Sequence, residues 1–95
     1  MSLTPEQKHL ARHALGLPNP KRRSYRNRFH AYTGGPDHET WTAMVGAGFA
    51  SVHEGKPNAI GQRMDEFVLS RAGADAALER GEVLDPEDFA PIAAH

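Results

Sequence analysis

Trp41-Thr-Ala-Met-Val-Gly-Ala-Gly-Phe49, followed further along the chain by Phe67-Val-Leu-Ser-Arg-Ala-Gly73, carries the pattern that decides the fold. The first stretch sets Trp41, Met44, Val45, Gly48 and Phe49 on one face of a helix and ends it near a glycine. Asp37 is a suitable N-cap for this helix, and Glu39 brings negative charge to its first turn, where it complements the helix dipole. A strand over residues 50–54 follows, then the turn-forming Gly55-Lys-Pro-Asn58, then a strand over residues 64–69. Ser70 is the N-cap of a further helix, with Ala74, Ala77 and Leu78 inward and Gly81 as its stop.

Upstream, Thr4 is a natural N-cap, Pro5 suits the first helical position, and Gln7 completes a capping box. Leu10, Ala11, Ala14 and Leu15 form one apolar stripe, and Gly16 with Pro18 ends the helix, which spans residues 5–15. Residues 18–36 read two ways. Tyr25, Phe29 and Tyr32 recur at i, i+4, i+7, which suits a helix, while Tyr25, Phe29 and Ala31 alternate with Arg26, Arg28 and His30, which suits a strand. Ser24 and Asn27 are weak helix formers and tip the balance slightly toward extended structure. At the other end, Asp85-Pro86 starts one more turn that returns Phe89 and Ile92 to the core, and the last few residues fray. The expected core is Leu10, Ala14, Leu15, Trp41, Met44, Val45, Phe49, Phe67, Leu69 and Leu78.

The 95 residues suffice for one domain over residues 1–95, with 39% hydrophobic and 24% charged content, both ordinary for a globular protein. No stretch has the roughly 18–20 apolar residues of a membrane span, and the Thr4-Pro-Glu-Gln7 opening does not read as a charged and then apolar leader. The chain has no cysteine, which excludes disulfides and thiolate chemistry. These features together imply a cytoplasmic protein. The net charge of −1 conceals a division. Residues 1–33 hold seven bases and one acid, whereas residues 34–95 hold four bases and eleven acids. Such a chain can present a basic face to a polyanion, or associate head to tail.

Gly48-Phe49, and Leu69-Ser70-Arg71-Ala72-Gly73 after the second strand, resemble the C-terminal portion of MarR-type winged-helix regulators. There a recognition helix ends in a glycine–hydrophobic pair, a two-stranded wing follows, and the second wing strand runs into a capped helix. The resemblance covers about 40 residues, Trp41 to Leu78. It implies a small α+β winged-helix-like domain of about three helices and a two- or three-stranded wing sheet. Winged helices carry two helices before the recognition helix, and only one is evident here. A second likeness spans more of the chain. His13-Ala-Leu-Gly-Leu17, Ser24-Tyr-Arg-Asn-Arg-Phe29 and Trp41-Thr-Ala-Met-Val-Gly-Ala-Gly48 resemble a group of small tailed-phage and prophage proteins, which implies a phage origin and no mechanism.

Lys21-Arg-Arg-Ser-Tyr-Arg-Asn-Arg28 packs five cations into eight residues. Lys21, Arg22, Arg23, Arg26 and Arg28, with Lys56 from the wing loop, suit phosphate neutralisation, and Tyr25 offers a stacking surface. The competing reading is a solvated basic loop neutralised by the acidic C-terminal half. The helix after Asp37 points Glu39, Thr42, Ala43 and Gly46 outward. Base reading in a major groove favours Arg, Lys, Asn or Gln, and this face has none, so it suits protein packing better than sequence-specific DNA. His9 and His13 at i, i+4 lack a third ligand for zinc. Asp37-His38-Glu39, with His30 nearby, lacks a nucleophile, a phosphate loop or a metal triad, and capping explains it.

The sequence therefore points to a phage or prophage accessory protein that touches nucleic acid non-specifically through its basic segment. The alternative is a protein-interaction factor that modulates a host or phage complex through Glu39, Thr42, Ala43 and Gly46. No catalytic residue, metal ligand or cofactor is expected, and no membrane partner. The charge distribution decides between the two readings: bases at 21–28 and Lys56 sharing one acid-free face favour the first, and neutralisation by acids from residues 75–88 favours the second.

Overall fold

The computed structural model describes residues 2–89. In chain order the elements are α1 (Pro5–Leu15), β1 (Phe29–Tyr32), α2 (Pro36–Gly46), β2 (Ala50–His53), β3 (Met64–Leu69) and α3 (Arg71–Ala77). The strands form one antiparallel sheet in the order β1-β3-β2, with the helices on one face. This is a small winged-helix-like α+β domain. One helix, α2, stands between β1 and β2.

Local chemistry accounts for most element ends. Thr4 and Gln7 close a reciprocal capping box at the start of α1, at 3.0 and 3.1 Å. Gly16 ends it in the left-handed region, at φ 79°, where the Tyr25 ring also lies so close that a Cβ would overlap it. For α2 the cap differs from expectation. Gly35 is the N-cap and Pro36 opens the first turn, because proline's fixed φ suits that position and glycine serves as a cap; Asp37 and Glu39 both fall inside the first turn.

The end of α3 also differs. The helix stops at Ala77 rather than running on to Gly81. Arg12 donates from Nη1 to the Ala77 carbonyl at 3.0 Å, and Glu82 accepts the Glu79 amide at 2.8 Å. A longer helix would need those backbone groups for itself. Gly73 lets the front of α3 lie directly on the chain at Phe49, where any Cβ would sit 2.0 Å from the Phe49 carbonyl oxygen.

Residues 18–32 contain no helix: a bend and turn at 18–22 lead through irregular chain into β1. Phe29 opposes Phe67 and Ala31 opposes Asp65, so these four side chains share the sheet face that meets the helices. Asn27 continues this edge without a regular ladder. Its side-chain amide donates to the Leu69 carbonyl and accepts the Leu69 amide, at 3.1 and 2.9 Å.

Trp41, wholly buried on α2, stacks on Phe67 with centroids 5.5 Å apart and packs against Phe29 at the same separation. His13 and His38 meet the outer rings edge-on, at 5.4 and 5.3 Å. Leu10, Ala14, Leu15, Met44, Phe49 and Leu69 complete the expected core, while Val45 and Leu78 are only half-buried against it. Phe89 returns to the core after a turn started at Asp85, as expected; Ile92 and the chain end lie outside the described residues.

The Trp41 Nε1–H is buried without a hydrogen-bond partner among the described residues, a cost of about 1–3 kcal/mol. Its ring area outweighs that cost. Trp41→Ala should destabilise the fold by about 3–5 kcal/mol. Trp41→Phe should cost much less, since it keeps a ring in the stack and removes the unpaired donor. Chemical denaturation of the two variants checks this, and equal losses would mean that the ring stack is not what holds α2.

Candidate nucleic-acid interface

The segment from Asn19 to Arg28 is anchored along its length rather than draped over the surface. The last carbonyls of a helix lack intrahelical partners, and this segment supplies donors to them. Tyr25 N–H donates to Leu15 O at 3.1 Å, Arg28 N–H to Ala14 O at 3.3 Å, and Arg26 Nη2 to His13 O at 2.8 Å. Cations there also complement the negative end of the helix dipole. On the other side, Val83 N–H donates to Arg22 O and Ser24 N–H to Val83 O, making a short parallel bridge. The fully buried Ser24 hydroxyl accepts the Asp85 amide at 2.8 Å. Arg22 takes a positive φ of 53°, uncommon for a residue with a side chain, which turns the chain into this bridge.

Held this way, the segment exposes most of its charge. Lys21, Arg22, Arg23 and Arg28 are exposed, Tyr25 is 60% exposed, and Arg26 is half-buried over the Tyr25 ring, its Cζ 5.2 Å from the centroid. Among the described residues, the side chains of Lys21, Arg23 and Arg28 make no hydrogen bond or ion pair. Arg22 lies near enough to Glu82 to favour its ionised form without forming an ion pair.

Of the acids at residues 75–88, Asp75, Glu79 and Glu82 are engaged with other bases, while Asp85 lines the same cleft as Lys21 and Arg23 without an ion pair among the described residues. Asp75 pairs with Arg71, and Glu79 with Lys8 and Arg12. Glu82 makes a two-point pair with Arg12, which is buried between α1 and the chain after α3; one contact joins Nη2 to Oε2 at 2.8 Å and the other joins Nη1 to Oε1. This pair holds the Glu82 carboxyl down at about 2, against the 4.5 usual for glutamate; the Arg12 hydrogen bond is the main cause, opposing burial.

Lys56 is exposed in the β2–β3 loop. Because Tyr32 opposes Met64 and Phe29 opposes Phe67, that loop leaves the sheet at the end away from Arg28. Lys56 and the Lys21–Arg28 segment therefore sit at opposite ends of the β1–β3 ladder. Glu39, Thr42, Ala43 and Gly46 are all exposed on α2, and space is open above Gly46.

The titratable set around His38 is internal. His38 Nε2 lies 2.8 Å from Oδ2 of Asp65, which is 1% exposed and also accepts from Arg63 and from the Gly55 amide. Arg63 first, then His38 and Gly55, hold the Asp65 carboxyl well below the usual carboxylate range despite its burial. Thr42 Oγ1 stands 3.5 Å from His38 Nδ1 but donates to the His38 carbonyl at 2.8 Å. The network ties α2 and the hairpin to β3. His9 is exposed, and His13 packs on Phe29. Among the described residues, no three potential metal ligands gather.

The class defined by these features is a winged-helix-like domain bearing an anchored basic segment. Compared with protein-family models, curated proteins and solved structures, the chain matches none. No helix among the described residues is long and apolar enough to cross a membrane.

Asn19 and Pro20 join the basic residues at this site without having been expected there, and Asp85, one of the acids at 75–88 expected as possible partners, does lie beside Lys21 and Arg23. The two turn signals, Pro18-Asn-Pro20 and Asp85-Pro86, mark where the chain bends to bring them together.

Because Glu82 and Asp65 have depressed pKa values in the fold, their stabilisation is complete above the usual carboxylate range and is lost as pH falls through the folded values. For Glu82 that window runs from about 4.5 down to about 2. Glu82→Gln should be less stable at neutral pH and lose less additional stability across this window than the native chain. Denaturation measured at several acidic pH values checks the slope; identical slopes would mean that Glu82 is not held by Arg12.

Proposed function

We propose that the protein is an accessory binding protein, of phage or prophage type as its sequence resemblance implies, that contacts nucleic acid non-specifically through Lys21–Arg28. The observation that carries this reading is the absence of ion pairs at Lys21, Arg23 and Arg28 among the described residues, while the acids at 75, 79 and 82 are paired with other bases. Exposed cations on an anchored backbone release counterions from a phosphate chain without first breaking pairs of their own. Arg26 is partly occupied in capping α1 and contributes charge more than contacts. Lys56, at the far end of the sheet, adds a contact only on a strand long enough to reach both.

The outward side chains of α2 give no means of reading bases, so binding is indifferent to sequence. The exposed face of Glu39, Thr42, Ala43 and Gly46 supports the second reading, a protein-interaction factor, since small residues let another backbone approach closely.

With three phosphate contacts, affinity for a mixed-sequence oligonucleotide should fall about 40-fold for a duplex and about 20-fold for a single strand over a roughly fourfold rise in salt. Each of Lys21→Gln, Arg23→Gln and Arg28→Gln should lower the slope of log affinity against log salt by about one and weaken all sequences alike. Fluorescence anisotropy over a salt series measures both. No binding at low ionic strength would reject nucleic acid and leave the protein-partner reading. Salt-resistant binding to one sequence would contradict both.

A further inference from the structure

Tyr25 is built unlike a casually exposed aromatic. One flank of its ring lies on Gly16, whose missing Cβ makes room for it: a Cβ there would come within 2.2 Å of Tyr25 Cε1. Its backbone amide is tied to Leu15 O, and the Arg26 guanidinium sits over the ring. The ring is thus held in position while 60% of the residue remains in solvent.

The exposed part of Tyr25 walls an open cleft of about 480 Å³, with Pro20, Lys21, Arg23 and Asp85 among the other lining residues. That volume lies within the range of roughly 300–1,000 Å³ typical of small-ligand sites. The cleft has an apolar surface in Pro20 and the Tyr25 ring, two cations without ion pairs among the described residues, and one carboxylate. Asp85 repels phosphate, and it accepts hydrogen bonds. A strand with its backbone on Lys21 and Arg23 would therefore turn the donor-bearing edge of a base toward Asp85.

We infer that this cleft takes one unpaired base of a single-stranded nucleic acid, stacked on Tyr25, with the flanking phosphates on Lys21 and Arg23. The inference rests on the electrostatic reading above and narrows it to single strands. In a duplex the base faces are covered by their neighbours, so Tyr25 has nothing to stack on and only the phosphate contacts remain.

The test uses the full chain and three fluorescent probes at low ionic strength: an oligo-dT strand, an abasic strand of equal length and charge, and a mixed-sequence duplex. The native chain should bind the oligo-dT strand about tenfold more tightly than the abasic strand, the scale of one stacked base. Tyr25→Leu should remove that advantage and leave abasic and duplex binding unchanged, and Tyr25→Phe should keep it. Equal binding of the base-bearing and abasic strands by the native chain would overturn the stacking site and leave the electrostatic reading intact. So would a Tyr25→Leu loss shared equally by all three probes. Failure of every probe to bind would overturn the electrostatic reading and this inference with it.

Discussion

The packing of Trp41 between Phe29 and Phe67 is the contact on which the rest of the structure depends. It joins three elements far apart in the chain: the edge strand β1, the helix α2 and the central strand β3. Once Phe29 must meet Trp41 on the helix-facing side of the sheet, residues 29–32 must pair with β3 in the register that sets Phe29 opposite Phe67. A helix through this region would leave β3 without its β1 neighbour. The chain before Phe29 then has one short path back to α1, along its C-terminal carbonyls, and the basic residues lie on that path.

The charge arrangement follows from a second constraint, the burial of Arg12. A buried guanidinium without a carboxylate is costly, and Glu82 answers it with a two-point pair. Glu79 is drawn to the same place and shared with Lys8. Glu79, Glu82 and Asp75 are thereby spent on α1 and within α3, not on the neighbouring basic segment. Electroneutrality of the whole chain coexists with a local cationic surface for this reason, and a net charge near zero conceals it.

Much of the fold was legible because its signals are local. The Thr4 and Ser70 caps, the left-handed Gly16, the strand at Met64–Leu69 and the helix face of Trp41 and Met44 each depend on residues a few positions apart. What escaped reading depends on distant partners. Tyr25, Phe29 and Tyr32 fit a helix as well as a strand until Trp41 and Phe67 select one. The end of α3 at Ala77 is decided by Arg12, not by the later Gly81. At the candidate site, the basic residues were evident from composition alone, and Tyr25 among them. The exposed face of Glu39, Thr42, Ala43 and Gly46 was evident from helical spacing. Asn27 was counted with the basic stretch, yet its side chain bonds the Leu69 backbone. Asp85 was one of several acids at 75–88 that could face the basic segment, and the Arg23–Val83 bridge is what selects it.

Under the proposed function, an anchored basic segment without ion pairs among the described residues, and not the exposed face of α2, is where this protein meets its partner. A backbone-amide NMR titration with a short single-stranded oligonucleotide tests it most directly. Perturbations should concentrate at residues 19–28 and 83–85, with Glu39, Thr42, Ala43 and Gly46 unmoved. Perturbations centred on α2, or none at low ionic strength, would contradict it.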